Sequence, residues 1–134
     1  MENYYYYLIG GAIVVIIIFF IAKKLFYRHY NITFSRALSW SSGFIEATKE
    51  YPFDIEHLPK NAETTELLDI YERTKKLAGE YYAAAFMGQS DTRVFSFARL
   101  RILKNTIKYF ELAIKIQIAL HKIQVDNAAY EGGL

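Results

Sequence analysis

From Asn3 to Ala22 the chain carries no charged residue, and from Leu8 to Ala22 every position is apolar or glycine. About 20 such residues in a helix, rising ~1.5 Å each, match the ~30 Å hydrocarbon core of a bilayer. Beyond Asn31 the pattern changes, and apolar residues recur at steps of three and four between charged ones. Ala37, Trp40, Phe44, Ala47 and Tyr51 predict a helix over 33–51 that stops at Pro52. The stretch 52–60, with two prolines, predicts a loop. Asn61 is a candidate N-cap, with Glu63 in the first turn where the helix dipole favours an acid. Leu67, Tyr71, Thr74, Ala78, Tyr81 and Ala85 then form a heptad-like stripe. Asp69–Arg73 and Glu72–Lys76 stand at i,i+4 spacing in the favourable acid-first order. Gly88-Gln89 interrupts this pattern, and Ser90-Asp91 caps the longest helix, from about Thr92 to Val125.

That last helix decides most about the domain. Its stripe runs Phe95, Ala98, Ile102, Asn105, Tyr109, Leu112, Ile116, Ala119, Ile123. On a wheel of ~100° per residue, Arg101, Lys104, Lys108, Glu111, Lys115 and Lys122 share an arc of roughly 80–90°. Leu103, Ile107, Phe110, Ile114, Ile118 and Leu120 add to the apolar remainder. A surface helix buries one stripe and wets the rest. Here the apolar surface exceeds what one neighbouring helix covers, so at least two partners are needed. They are the other helices of a small bundle, another protein chain, or the bilayer surface. Where the partner is a second chain, the expected interface is Phe95, Phe97, Ile102, Tyr109, Leu112, Ile116 and Ile123. Phe97 is the hardest of these to place in an internal core, because it falls within the polar arc.

The flanks of the first apolar run are informative. Tyr4, Tyr5, Tyr6 and Tyr7 lie before it, and Tyr27 and Tyr30 after it. Tyrosine prefers the headgroup level, with its ring half buried and its hydroxyl wet. A cleaved signal peptide needs basic residues ahead of the apolar run and small residues behind it. This run has Glu2 ahead and Ala22-Lys23-Lys24 behind, which favours a retained anchor. Leu8, Ile13, Val14, Ile17 and Phe20 are expected to face lipid, with Lys23 and Lys24 at the boundary. The basic flank of Lys23, Lys24 and Arg28 predicts the following domain on the cytoplasmic or mitochondrial matrix side, with a short N-terminus outside. Gly10-Gly11 offers a close-packing point for another membrane helix, but no small residue stands four positions after Gly11.

Composition adds little to fold class and more to function. Hydrophobic residues are 53 % and charged residues 22 %, and there is no cysteine. Thiolate metal sites, disulfides and a cysteine nucleophile are thereby excluded. The net charge of +2 is too small for a nucleic-acid binder. Its distribution is uneven. Residues 36–80 carry six basic and nine acidic side chains, a net −3, whereas 93–122 carry seven basic residues against Glu111, a net +6. The basic arc Arg101, Lys104, Lys108, Lys115 and Lys122 is expected to pair with the acidic helix at 63–80 or to meet lipid headgroups.

No glycine-rich phosphate loop, G-x-S-x-G or H-E-x-x-H is present. Asp54, Glu56 and His57 are the nearest thing to a metal cluster, but no second ligand set stands at metal spacing, so a solvated loop is the expected reading. His121, within the apolar side of the last helix, predicts a hydrogen-bonded interior histidine. No catalytic residue, cofactor, metal or small-molecule substrate is expected.

The sequence therefore predicts an all-α chain: a transmembrane anchor over 1–30, a helical domain with a long antiparallel hairpin over 31–126, and a frayed tail over 127–134. The expected function is that of a non-catalytic, single-pass structural or accessory subunit of a larger membrane assembly. Its partners would be other membrane-protein subunits and the bilayer. The alternative is a membrane-tethered adaptor whose basic last helix binds lipid or a partner helix.

Overall fold

A computed structural model describes residues 2–87 and 97–132. Among the described residues there is no strand. The chain forms three α-helices: α1 (Glu2–Glu50), α2 (Ala62–Tyr82) and α3 (Phe97–Gly132). A 3-10 turn, Ile55–His57, lies between α1 and α2, and a turn of wider π-helix, Ala83–Met87, follows α2. The chain divides into two units, Met1–Ile32 and Thr33–Leu134.

Two boundaries differ from the sequence expectation. The break expected near Asn31 is absent, and α1 continues through it. Between Gly11 and Gly43 there is no glycine or proline, so nothing in the backbone chemistry stops the helix. The charged and polar residues around Arg28 punctuate hydropathy without punctuating the backbone. At the far end, α3 runs to Gly132 and takes in most of the segment expected to fray. The expected start of α3 and its Ser90-Asp91 cap lie outside the described residues, as does Phe95.

In the first unit, residues 3–25 are exposed throughout. The eleven large apolar side chains from Leu8 to Ile21 remain 50–65 % exposed. A Cβ added at Gly10 or Gly11 would meet nothing within 4 Å. The helix is long and apolar enough to cross a membrane. Tyr30, expected at a headgroup belt, is only 2 % exposed, and the Phe26 ring lies 6.3 Å from its own.

The second unit is a three-helix bundle formed by residues 33–50 of α1 with α2 and α3. Proline at 52 ends α1, and Asn61 starts α2 by accepting a hydrogen bond from the Thr64 amide at 2.8 Å. Contacts set the directions. Arg99 reaches Ala85, Tyr109 stacks on Tyr81, and Gln117 meets Tyr71, so α3 runs antiparallel to α2. Phe44 meets Phe110 at 5.6 Å, and further along both helices Gln117 meets Tyr51, so this part of α1 runs parallel to α3.

α3 is the central element. Leu100, Leu103, Thr106, Ile107, Phe110, Ala113, Ile116, Gln117 and Leu120 are all buried. At ~100° per residue they occupy roughly 200° of its circumference. The two partners that the apolar excess required are thus supplied within the domain. The buried centre lies roughly 100° around the helix from the expected stripe. Ile116 sits in the core with Leu58, Tyr71 and Leu120, and Ile123 packs against that cluster. Tyr109 is stacked on Tyr81 with rings 5.4 Å apart, and Ile102 is half-buried. Phe97 and Leu112 are exposed, at 77 % and 39 %. Of the six described residues, Ile116 is buried, Ile102, Tyr109 and Ile123 are half-buried, and Phe97 and Leu112 face outward.

Candidate functional site

Three surfaces bear on function, and each belongs to one of the units. The first is the apolar segment of α1. Leu8, Ile13, Val14, Ile17 and Phe20 are all exposed, as are Lys23 and Lys24 at its end. Lys23 holds its ammonium 5.6 Å from the centre of the Tyr27 ring. Burying a residue such as Ile or Phe contributes ~1.5–3 kcal/mol, and half of each of these surfaces remains uncovered. The unclaimed transfer free energy is on the order of 10 kcal/mol, comparable to the whole stability of a domain.

The second surface is the basic face of α3. Arg101, Lys104, Lys108, Lys115 and Lys122 are all exposed. They lie nearly opposite the buried face of the same helix. Lys115 pairs with Glu111 on its own helix at 3.5 Å, and Lys108 lies 5.6 Å from the Tyr109 ring centre. Within α2 the ion pairs are Asp69–Arg73 at 2.9 Å and Glu72–Lys75 at 3.6 Å, the latter in place of the expected Glu72–Lys76. Among the described residues no ion pair joins α2 to α3, so the oppositely charged helices of one bundle do not neutralise each other by contact.

The third surface is a polar ladder along the C-terminal half of α3. Gln117, His121, Gln124 and Asn127 follow one another at steps of four, three and three, on the side that faces the loop. Gln117 Nε2 donates to the Tyr51 carbonyl at 2.6 Å, and His121 Nδ1 meets the Pro52 carbonyl at 2.6 Å. The Asp54 amide donates to Gln124 Oε1 at 2.6 Å, and Asn127 Nδ2 donates to the His57 carbonyl at 3.4 Å. Four side chains of one helix thus hold the backbone of the loop that ends α1. The Tyr71 hydroxyl donates to Gln117 Oε1, which ties α2 into the same set. Burial pushes the Tyr71 hydroxyl above its ordinary pKa, and the neighbouring Glu72 carboxylate adds to the shift.

Beside the ladder lies an open cleft of about 670 Å³, lined in part by Asp54, Glu56, Tyr71, Glu72 and Lys75. Asp54 is already engaged there. It caps the 3-10 turn by accepting from the Glu56 amide at 3.2 Å and lies 3.1 Å from His57 Nδ1. Among the described residues no three His, Asp or Glu side chains converge on a common point for a metal ion. His121 is half-buried and hydrogen-bonded, with its ring 5.5 Å from that of Tyr51.

The ladder escaped the sequence reading because its members look like ordinary polar residues. The available signal was their helical spacing on the otherwise apolar side of α3, opposite the lysines. No family model, curated protein or solved structure matches this chain.

Proposed function

We propose that the protein is a single-pass, non-catalytic subunit of a larger membrane assembly. Residues 3–22 would cross the bilayer, and the three-helix domain would stand on the cytoplasmic or matrix side. The observation that carries this reading is the exposed apolar run of α1, whose surface no other described part of the chain covers. A lipid environment or neighbouring membrane helices would cover it. The basic flank Lys23, Lys24 and Arg28 supports the orientation.

The internal burial of α3 changes how the domain would meet partners. Its apolar face is spent on the core, so an in-plane insertion of α3 into lipid loses its driving force. What remains outward is charge. The second reading, a membrane-tethered adaptor, rests on that exposed basic face and its attraction to anionic headgroups.

Extraction in a mild detergent, followed by sizing of the particle and identification of its components, separates the two. A large particle of defined composition is expected for the subunit. A lone 15.6 kDa chain in its micelle would overturn it and favour the adaptor.

A further inference from the structure

Charge in the bundle is sorted along its length. The Phe44 ring lies 5.6 Å from that of Phe110, and the Tyr82 ring lies 6.1 Å from Phe110 in turn, so one aromatic layer crosses all three helices. On one side of that layer stand residues 33–43, 83–87 and 97–109. This half holds Phe34 against Phe86 at 4.9 Å and Arg99 on the Ala85 carbonyl at 3.0 Å. Its charged residues are Arg36, Arg99, Arg101, Lys104 and Lys108, and it contains no acid. The other half, residues 45–81 and 111–132, carries twelve acidic against seven basic side chains. Its acids nearest the layer are Glu46, Glu80 and Glu111. Residues 88–96 add one charge of each sign, Asp91 and Arg93. Among the described residues, then, the bundle is positive at one end and negative at the other. The positive end is also the one that α1 enters. Thr33 follows Ala22, the last residue of the apolar run, by eleven positions, about 17 Å of helix. Arg36, Arg101, Lys104 and Lys108 are exposed there, and no acid occurs anywhere from Asn3 to Ile45.

We propose that the occupant of this positive end is the anionic lipid surface of the membrane that the anchor crosses, with Arg36, Arg101, Lys104 and Lys108 meeting phosphate headgroups. The proposal rests on the membrane reading and holds for a subunit and for an adaptor alike. It narrows the lipid-facing surface to one end of the bundle. Lys115 and Lys122 share the basic side of α3, but they lie among the acids of the other half, which a negative surface repels. The potential of an anionic bilayer fades within a Debye length, about 8 Å at physiological salt, so a few cations gathered at one end gain more than a row spread along the helix. The tether keeps those cations at high local concentration near the headgroups, and a contact that is weak in itself suffices.

The chain has no cysteine, so a single introduced one can carry a spin label on the full-length protein. Ala98→Cys places the label at the positive end and Ala128→Cys at the other, both at exposed positions. The chain is reconstituted in vesicles of phosphatidylcholine, alone or in an equal mixture with phosphatidylserine. Relaxation by nickel chelated to lipid headgroups then reads how closely each label approaches the surface. The Ala98→Cys label should come closer in the anionic mixture, and the difference should vanish at about 1 M salt, where the Debye length is about 3 Å. The Ala128→Cys label should not respond. Arg101→Gln and Lys104→Gln should each lower the ratio of near to far states about fivefold, whereas Lys115→Gln/Lys122→Gln should leave it unchanged. Unchanged helical content and melting temperature show that each variant is folded. An Ala98→Cys label indifferent to lipid charge overturns the proposal and leaves the positive end to an acidic partner protein. Equal loss from Lys115→Gln/Lys122→Gln overturns it too, in favour of the whole α3 face. Alkaline carbonate extraction of the same vesicles reads the anchor separately. A chain that resists extraction while its label ignores lipid charge sinks this proposal alone, and a chain that is extracted sinks the membrane reading with it.

Discussion

Gln117 ties α3 to both α2 and the end of α1. Its amide nitrogen holds the Tyr51 carbonyl and its oxygen accepts from Tyr71, and the side chain is only 3 % exposed. A leucine there would leave a buried hydroxyl and a carbonyl without partners, each costing about 1–3 kcal/mol. Gln117→Leu should therefore lower the stability of the domain by at least about 2 kcal/mol, read from chemical denaturation followed by circular dichroism. Tyr71 gives a pH signature. Its hydroxyl ionises in the unfolded chain near pH 10, whereas burial holds the native pKa higher. The native state keeps its proton where the unfolded state has lost it. The stabilisation is complete below about pH 10 and is lost as pH rises through the native pKa. Tyr71→Phe should flatten that alkaline decline while reducing stability at neutral pH, and denaturation series at pH 7 and pH 11 would show both.

At the scale of elements, α3 shows what the pattern of residues reveals and what it hides. The existence of α2 and α3, their antiparallel pairing, the Asn61 cap and the buried stripe Tyr71, Thr74, Ala78, Ala85 all follow the spacing. The orientation of α3 does not. Two adjacent apolar stripes compete on that helix, and the polar Thr106 and Gln117 lie on the one that is buried. Both are satisfied internally, Thr106 through its hydroxyl to the Ile102 carbonyl at 2.8 Å. A polar residue with a partner costs little to bury, and hydropathy alone does not register the partner. Leu103 and Leu120 are fully buried. Leu103→Ala and Leu120→Ala should each cost about 2–5 kcal/mol, whereas Val125→Ala, at a half-exposed position, should stay within about 0.5 kcal/mol. Asn61→Ala should cost about 1 kcal/mol through the lost cap. A thermal-melt series on these four variants would rank them.

For the whole molecule, the division of labour between the two units is the main inference. The apolar run of α1 is built as though water were never its solvent, while the bundle closes a core of its own. A single charge in the run should separate the two roles. Ile17→Lys is expected to disfavour membrane insertion by about 2.5–3.5 kcal/mol. The melting temperature of the bundle should not change. Carbonate extraction and circular dichroism on the same variant would test both halves of that statement.

The ladder on α3 also sets an order of events. Its four hydrogen bonds join residues 66 to 70 positions apart in the chain. The hairpin of α2 and α3 closes over a much shorter span, so its contacts are the earlier ones to form. During synthesis the loop at 51–57 leaves the ribosome long before Gln117 exists to hold it. The apolar run is complete by then as well. For a chain anchored as proposed, targeting of the N-terminal helix would precede closure of the bundle, and the domain would still be open when the nascent chain met the membrane.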